Sequence, residues 1–500
     1  MALFGTQRSD PNNFDRIGPE RWAAANRPAG DMLPLLVDFP QAVTTADWRH
    51  EVWRETLFRR PREIFASVLT AIRNRASGCA LVARKIEVDV GVLPLRRDAL
   101  DWLSSQRALG REIFLYNDTG QDLTLSDEMS TLVSGVISAD TVQPSRGSTP
   151  NLLQTMFPAG FTHVRRADGG SAIEGLEARV VLLGSRSELD SASRRLGKEA
   201  EAEFLDAKPT WRDWLRLLRP HHWSKNLLLF VPFLLEQSWR TPETLLNGLL
   251  GFIALGIVAS STYILNDLAD VQADRRHWSK RTRPLASGVI PLPLGALTAA
   301  TGIAIGLSIA ATLSPAFGFF LLAYLVLTVA YSLRLKRIPL LDVAVIAALF
   351  ALRLTMGISL SGARYSEWLL SFALMFFLSM AIAKRHGEVL GAATATTHGL
   401  SHRGYVVSDA PLTLAIGAAS AIASVVIMMI YLVEEGFPQG SYAVPEWLWV
   451  VPVVLSIWLG RIWLLVHRQQ MHDDPIAFAL RDRPSLMLGA TVGLAFVLAI

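Results

Sequence analysis

Hydrophobic and polar positions divide the chain into two parts with different patterns. Up to about residue 210, short apolar runs alternate with charged stretches, and the runs MLPLLVDF, REIFLYND and ARVVLLG have the length of buried strands. Such runs, separated by helical stretches, are typical of a small parallel α/β sheet. Beyond residue 227 long apolar stretches dominate, and several reach the roughly 20 residues that cross about 30 Å of hydrocarbon. The pattern predicts a multi-domain chain: a soluble α/β domain, then an all-α polytopic membrane domain.

The predicted domain boundaries follow from these patterns. Residues 1–30, rich in Pro, Asn and Arg, are predicted to be a flexible arm. The α/β domain is predicted over 31–195, a charged helical linker over 196–212, and the membrane domain over 213–500. Nine transmembrane helices are predicted, at about 223–238, 245–267, 291–311, 315–333, 339–360, 366–384, 410–433, 446–466 and 485–500. The apolar outer faces of such helices also permit a homo-oligomer.

The distribution of charge predicts the orientation of these helices. Alternate loops carry fourteen basic residues, within 275–283, 334–337, 384–403 and 468–483, whereas the opposite loops carry only Arg240 and Arg364. Because cytoplasmic loops are enriched in Lys and Arg, the basic loops and the N-terminal domain are predicted to be cytoplasmic, in a bacterial inner membrane. The net charge of +4 is modest, and we expect no nucleic-acid partner. The single Cys79 excludes an intramolecular disulfide framework and a cysteine-based zinc site.

An Asp-rich segment lies where the second predicted helix meets the cytoplasm. Asn266, Asp270 and Asp274 are spaced i, i+4, i+8, so a helix places them on one stripe, with Asp267 beside it. Ionised carboxylates at one membrane-level site repel each other and are costly to desolvate, and a divalent cation removes both penalties. A stripe of oxygen ligands without His or Cys favours Mg²⁺, which combines few carboxylates with substrate phosphates. A solvated, helix-capping loop is the alternative interpretation.

The segment NDLADVQAD resembles the first Asp-rich motif, NDxxDxxxD, of the UbiA-type prenyltransferase superfamily. That resemblance covers about residues 211–500. It implies a nine-helix membrane enzyme that binds a magnesium-diphosphate in a cavity facing the cytoplasm.

The second acidic motif of aromatic prenyltransferases, DxxxD, is incomplete in this chain. The corresponding stretch YSLRLKRIPLLDV supplies only Asp342. It resembles instead the polyprenyl-phosphate (decaprenyl-phosphate) phosphoribosyltransferase branch, which makes the precursor of arabinose donors. The segments RPHHWSKNLL, AKRHGEV, HRGY and HDDPIAFALRDRP agree with that branch. The resemblance implies Mg²⁺-dependent transfer of 5-phosphoribose from phosphoribosyl diphosphate to a polyprenyl phosphate, with release of diphosphate.

The resemblance assigns roles to individual residues. The predicted metal ligands are Asn266, Asp267, Asp270 and Asp274, and the predicted catalytic residues are Asp267, Asp270, Asp274 and Asp342. Arg353 lies inside a span and is expected to pair with Asp342 or with substrate. For Lys225, an interfacial lysine is an equally good interpretation. For Tyr263 and Tyr331, aromatic packing is the alternative. The full predicted substrate-binding set is Lys225, Tyr263, Lys280, Arg281, Arg283, Tyr331, Lys336, Arg337, Arg353 and Lys384.

The N-terminal part resembles the haloacid-dehalogenase phosphatase domain, in a degenerate form. DFPQAVTT keeps Asp38, the position of the family's nucleophile, but has Pro40 in place of the general acid. Asn117 replaces the expected Ser or Thr, and no lysine occurs between Gly135 and Arg179. The resemblance therefore implies an inactive pseudo-phosphatase that supports assembly or regulates access.

Two other functions remain open from the sequence. One is UbiA-type transfer of a prenyl group from a polyprenyl diphosphate to an aromatic acceptor. The other is a non-enzymatic membrane scaffold or transporter. The incomplete DxxxD motif weighs against the first, and the carboxylate stripe beside a basic cluster weighs against the second.

Overall fold

The computed structural model describes residues 32–59, 90–117, 125–138, 149–168, 173–197, 199–235, 241–394, 404–438, 442–471, 475–479 and 481–500. The predicted flexible arm lies outside these residues. The chain forms two compact units: a sheet unit, Met1–Leu217 with Asp267–Leu297, and a helical unit, Leu218–Asn266 with Thr298–Ile500. Residues 267–297, which the sequence placed in the membrane domain, thus group with the α/β fold.

The sheet unit contains the predicted parallel sheet. Its six strands run in the order β3-β2-β1-β4-β5-β6, and every neighbouring pair is parallel. The three apolar runs became β1, β2 and β5, since strands covered on both faces are apolar at nearly every position. The strands are β1 Leu35–Phe39, β2 Ile113–Asn117, β3 Gly135–Ser138, β4 Thr162–Arg166, β5 Arg179–Gly184 and β6 Ala202–Leu205.

The described residues of the sheet unit contain six α-helices. Local sequence sets their ends, as α5 shows: the Ser185 hydroxyl caps the amide of Glu188, whose carboxylate caps Ser185 in return, and Gly197 ends the helix at φ +61°. The helices are α1 Trp48–Arg59, α2 Arg97–Ala108, α3 Asp127–Leu132, α4 Thr149–Met156, α5 Arg186–Leu196 and α6 Trp211–Leu218, which ends one residue into the helical unit.

The edge strand β6 corrects the predicted helical linker at 196–212. The charged run KEAEAEF suggested a helix, but Ala202 and Phe204 alternate with the exposed Glu203 and Leu205. The alternation has the period of a strand, and Ala202 and Phe204 pack against the core of the sheet. The register of β6 is supported at its start, where Glu201 forms an ion pair with the buried Arg111.

In the described part of the chain, seven helices are long and apolar enough to cross a membrane, and Arg483–Ala499 is a shorter apolar helix. The predicted count of nine is therefore not confirmed within the described residues. The helices are α7 Val231–Leu235, α8 Pro242–Arg276, α9 Leu292–Leu313, α10 Pro315–Leu333, α11 Leu341–Ser361, α12 Glu367–Thr394, α13 Ala410–Tyr431, α14 Val450–His467, α15 Pro475–Ala479 and α16 Arg483–Ala499.

The first predicted span, 223–238, is not a continuous α-helix. Residues Pro220–Phe230 form 3₁₀ turns, and α7 begins at Val231. Pro232 has no amide hydrogen to donate to the preceding turn, so it suits the start of a helix but not its interior. The turns are held by the Trp223 indole, which donates to the Ser260 hydroxyl at 2.9 Å.

The ion pair at β6 makes the stability of the sheet unit depend on pH. Hydrogen bonds from Arg111 lower the pKa of Glu201 below its ordinary value of 4.5. A lowered pKa stabilises the fold above the unfolded-state pKa, and the contribution is lost as the pH falls through the folded-state pKa. We expect Glu201→Gln to cost about 1 kcal/mol at neutral pH after allowance for solvent screening.

Thermal unfolding of the full-length protein at a series of pH values would measure this effect. The difference from wild type should shrink as the medium becomes more acidic than roughly pH 4. Glu203→Gln, at an exposed position in the same strand, should leave the unfolding curve unchanged. A difference independent of pH would contradict the role given to the Glu201 charge.

Candidate functional site

The Asp-rich segment forms the last turns of helix α8, as predicted. Asp267 and Asp274 are almost completely buried, whereas Asn266 and Asp270 are half-buried. Both buried carboxylates face the same group: Arg283 Nη1 lies 3.1 Å from Asp267 Oδ1 and 2.6 Å from Asp274 Oδ2. These two residues are seven positions apart, two helical turns, so their side chains lie on one face. The carboxylates therefore converge on a single cationic atom.

This arrangement is suited to a metal that brings other ligands with it. Within the described residues, no group of three Asp, Glu, His or Cys side chains is placed to hold a metal ion. The four predicted ligands are thus not assembled into a protein-only site. Two converging carboxylates nevertheless match the requirement of Mg²⁺, which commonly takes one or two carboxylates and completes its shell with waters and substrate phosphates.

The basic residues after α8 occupy different positions from one another. Lys280 and Arg281 lie on a 3₁₀ turn, Lys280–Thr282, and are exposed to solvent. Arg283 is half-buried and contacts the carboxylates described above. Of the three predicted phosphate-binding residues in this loop, only Arg283 is placed directly at the acidic pair.

Arg353 in helix α11 is a buried cationic side chain of the helical unit. Its guanidinium donates to Asn226 Oδ1 at 3.1 Å, to the Tyr324 hydroxyl at 3.1 Å and to the Leu349 carbonyl at 2.7 Å. It also lies 5.0 Å from the ring centroid of Phe350. In the described part of the chain, its hydrogen-bond partners include no carboxylate, so the expected pairing with Asp342 is wrong.

Among the described residues, the Arg353 guanidinium contacts neutral oxygens and aromatic rings and no carboxylate. Burying such a charge is costly unless an anion compensates it. Lys225 Nζ lies 6.0 Å from the centroid of the same Phe350 ring, so two cationic side chains approach one aromatic ring. This part of the helical unit is chemically suited to a phosphate.

Asp342 is engaged by the protein itself. Its side chain is fully buried, with Arg385 Nε 2.6 Å from Oδ2 and the Tyr405 hydroxyl 2.7 Å from Oδ1. Arg385 also binds Glu388 at 2.8 Å. The Tyr405 hydroxyl accepts the amide of Leu340, whose φ of +64° is strained for a residue with a side chain. The network gives Asp342 structural partners, and its predicted catalytic role stays a prediction.

The remaining predicted residues lie on several different elements. Tyr263 packs against His222, with ring centroids 5.1 Å apart, and against Arg219, which favours the packing alternative. Lys336 is half-buried and Arg337 exposed on the 3₁₀ turn Leu335–Arg337. Tyr331, at the end of α10, and Lys384, in α12, are half-buried.

Sequence patterns did not identify Asn226, Tyr324 or Tyr405 as functional residues. Asn226 and Tyr405 lie in the segments RPHHWSKNLL and HRGY, but the resemblance gave them no role. The other signal was indirect, because a buried charge such as Arg353 or Asp342 requires polar partners. Sequence alone does not say which distant residues supply them.

The chain is similar to one protein family and to several known proteins. Residues 227–487 match the model of the UbiA prenyltransferase family. The Sinorhizobium fredii protein y4nM is 39% identical and covers 93% of this chain and 91% of its own length. The nodulation protein NoeC of Azorhizobium caulinodans is 32% identical over 58% of this chain and 95% of its own length.

A third relative matches a shorter stretch. The decaprenyl-phosphate phosphoribosyltransferase of Corynebacterium glutamicum is 34% identical to this chain. The match covers 35% of this chain and 54% of that protein. Among solved structures, a UbiA homolog from Archaeoglobus fulgidus bound to GPP and Mg²⁺ is 20% identical. It covers 57% of this chain and 98% of its own, with a TM-score of 0.43.

The Asp342 network gives a prediction that separates structure from catalysis. Asp342→Asn removes the buried charge opposite Arg385, which should lower the free energy of unfolding by about 3 kcal/mol. Thermal unfolding of the purified protein in detergent would measure the change. Glu388→Gln, which alters the partly exposed partner of Arg385, should cost less. Unchanged unfolding together with complete loss of turnover would instead support a catalytic Asp342.

Proposed function

This chain belongs to the UbiA prenyltransferase family, an integral membrane family, and on that basis we propose that it is a polyprenyl-phosphate phosphoribosyltransferase. It would transfer 5-phosphoribose from phosphoribosyl diphosphate to a polyprenyl phosphate. The observation that carries the proposal is the engagement of Asp342 by Arg385 and Tyr405. With that carboxylate engaged, the stretch 331–343 offers no acidic ligand for a second metal but keeps its cations. Relatives named as decaprenyl-phosphate phosphoribosyltransferases support this choice.

The acidic pair on α8 would hold the diphosphate of the donor. Asp267 and Asp274, with Asn266 and Asp270 on the same turns, would ligate Mg²⁺ together with diphosphate oxygens. When bound, Mg²⁺ supplies neutralisation of the charge that develops on the departing diphosphate. Arg283 would exchange a carboxylate for a phosphate oxygen, and Lys280 and Arg281 can meet further oxygens from the same loop.

The acceptor needs no dedicated general base. A phosphate monoester is anionic at neutral pH, so an oxygen of the polyprenyl phosphate can attack C1 of the ribose directly. The new C1–O bond forms as the bond to diphosphate breaks, and the electron pair leaves with the diphosphate. Arg353 and Lys225 supply positive charge for a phosphate within the helical unit.

The other predicted residues take supporting roles in this proposal. Lys336, Arg337 and Lys384 would meet the 5-phosphate of the ribose, while Tyr331 and Tyr263 would line the ribose. Asp342 becomes a positioning residue, because Tyr405 joins it to the strained backbone of Leu340, directly after the turn that carries Lys336 and Arg337.

We also propose that the sheet unit has no phosphatase activity. Asp38, at the end of β1, lies 2.8 Å from Nε2 of the buried His163. An oxygen held in this contact is poorly placed to attack a phosphate, and Pro40 supplies no acid. The likeness to haloacid dehalogenases stays a prediction, as do the cytoplasmic orientation and the bacterial inner membrane.

The test is an assay of the purified protein with Mg²⁺, polyprenyl phosphate and phosphoribosyl diphosphate labelled in the ribose. We expect a labelled lipid and an equal amount of diphosphate, and neither product when Mg²⁺ is removed with a chelator. Transfer from a labelled polyprenyl diphosphate to an aromatic acceptor would favour ordinary prenyl transfer. Absence of both products would contradict the proposal.

Variants of the Asp-rich segment test the metal assignment. Asp270→Ala and Asp274→Asn should each lower kcat/KM by about 100-fold or more, since a ligand to the metal and diphosphate is lost. Glu243→Gln, an exposed acid in the first turn of the same helix, is the matched control and should keep full turnover. Full turnover of Asp270→Ala would rule out its role as a ligand.

A further inference from the structure

The residue that follows the acidic pair on α8 has a different environment. Arg275 is buried, and its Nε donates to the carbonyl of Ala286 at 3.0 Å. This bond joins the end of α8 to the end of the loop that follows it, residues 277–288. The 277–288 loop carries Lys280, Arg281 and Arg283, so its closure controls where these cations lie.

The second contact of Arg275 comes from the α/β fold. Arg275 Nη2 lies 2.6 Å from Oε1 of Glu51, and the two side chains are 4% and 0% exposed. The other oxygen of Glu51 lies 3.4 Å from Nε of Arg54, which in turn binds Glu55 at 2.6 Å. Helix α1 thus fixes the carboxylate of Glu51 before it meets Arg275. Removal of one partner from a buried charge pair of this kind strongly destabilises the fold, because the other charge is left buried without compensation.

A further contact fixes the same end of the 277–288 loop, next to Ala286. The Thr45 hydroxyl donates to the carbonyl of Ser287 at 2.8 Å, while the Thr45 amide donates to the carbonyl of Pro94. Gly288 has φ +77°, and a Cβ at this position would lie 2.6 Å from Thr45 Oγ1. Glycine is therefore required twice, by the backbone conformation and by the close approach of the two chains.

From these contacts we infer that residues 44–54 of the α/β fold position the 277–288 loop, with Glu51 as a positioning residue that acts through Arg275. All these residues belong to the sheet unit. Held at Arg275 and at Ser287–Gly288, the loop presents Arg283 to Asp267 and Asp274. The α/β fold thereby contributes to diphosphate binding without an active site of its own. This inference rests on the proposed function for its kinetic consequence, but not for its structural one.

The structural consequence can be measured without any substrate. In Glu51→Gln the side chain keeps its shape but loses its charge, and Arg275 is left without its buried counter-ion. Hydrogen–deuterium exchange of the full-length protein should be faster for the amides of residues 277–288. Glu203→Gln is the control, because it removes an exposed carboxylate of the same unit, on strand β6, and leaves the buried pair of Glu51 and Arg275 intact. It should leave exchange in the loop unchanged.

The kinetic consequence is a split between KM and kcat. Misplacement of the loop should raise KM for phosphoribosyl diphosphate by about tenfold in Glu51→Gln, with kcat changed far less, because the cations bind substrate before the chemical step. If Glu51 acts through Arg275, the double variant Glu51→Gln with Arg275→Gln should be no worse than the poorer single variant. Gly288→Ala should raise KM in the same way by pushing Thr45 and the loop apart.

The outcomes separate this inference from the proposed function. Loop exchange and KM unchanged in Glu51→Gln, or changed equally in Glu203→Gln, would overturn the inference. Faster loop exchange in Glu51→Gln alone supports it even if the wild-type protein transfers no phosphoribose. In that case the proposed function fails and the positioning of the loop stands.

Discussion

The carboxylates of Asp267 and Asp274 can be buried because one guanidinium, that of Arg283, lies between them. Two negative charges this close would otherwise repel each other and lose their hydration. The requirement for a cation determines the course of the chain after α8, since Arg283 reaches the carboxylates only if the loop turns back. Arg275 and its contacts with Glu51 and Ala286 close that turn. Under the proposed function, Mg²⁺ would meet the same need for positive charge when the diphosphate binds.

The helical unit meets the same constraint in two ways. Asp342 is compensated completely, by Arg385 on one oxygen and Tyr405 on the other, and this explains why it can be fully buried. Within the described ranges of the chain, the partners of Arg353 are dipoles and aromatic rings. This difference matters for binding. A charge that is fully compensated by protein groups stabilises the fold, whereas an incompletely compensated charge remains available to a ligand of opposite sign.

Local patterns in the sequence predicted what depends on local physics. The three apolar runs became parallel strands, and the spacing of the acids placed them on one helix because helical periodicity is fixed by the backbone. Long-range partners were beyond such patterns. Glu51 and Arg275 are separated by 224 positions, and no spacing rule links them. The edge strand β6 was missed because four residues carry too little periodicity to outweigh a charged, helix-like run.

The discontinuity of the sheet unit has a consequence for the order in which the protein is made. Residues 1–217 leave the ribosome before 267–297, and the apolar part of α8 is synthesised between them. The α/β fold can therefore acquire its last segment only after that apolar stretch has been translated. Domains generally fold in the order in which they emerge from the ribosome. Glu51 can therefore pair with Arg275 only after Arg275 has been synthesised. The sheet unit can thus be completed only after the second, acidic end of α8 has been translated.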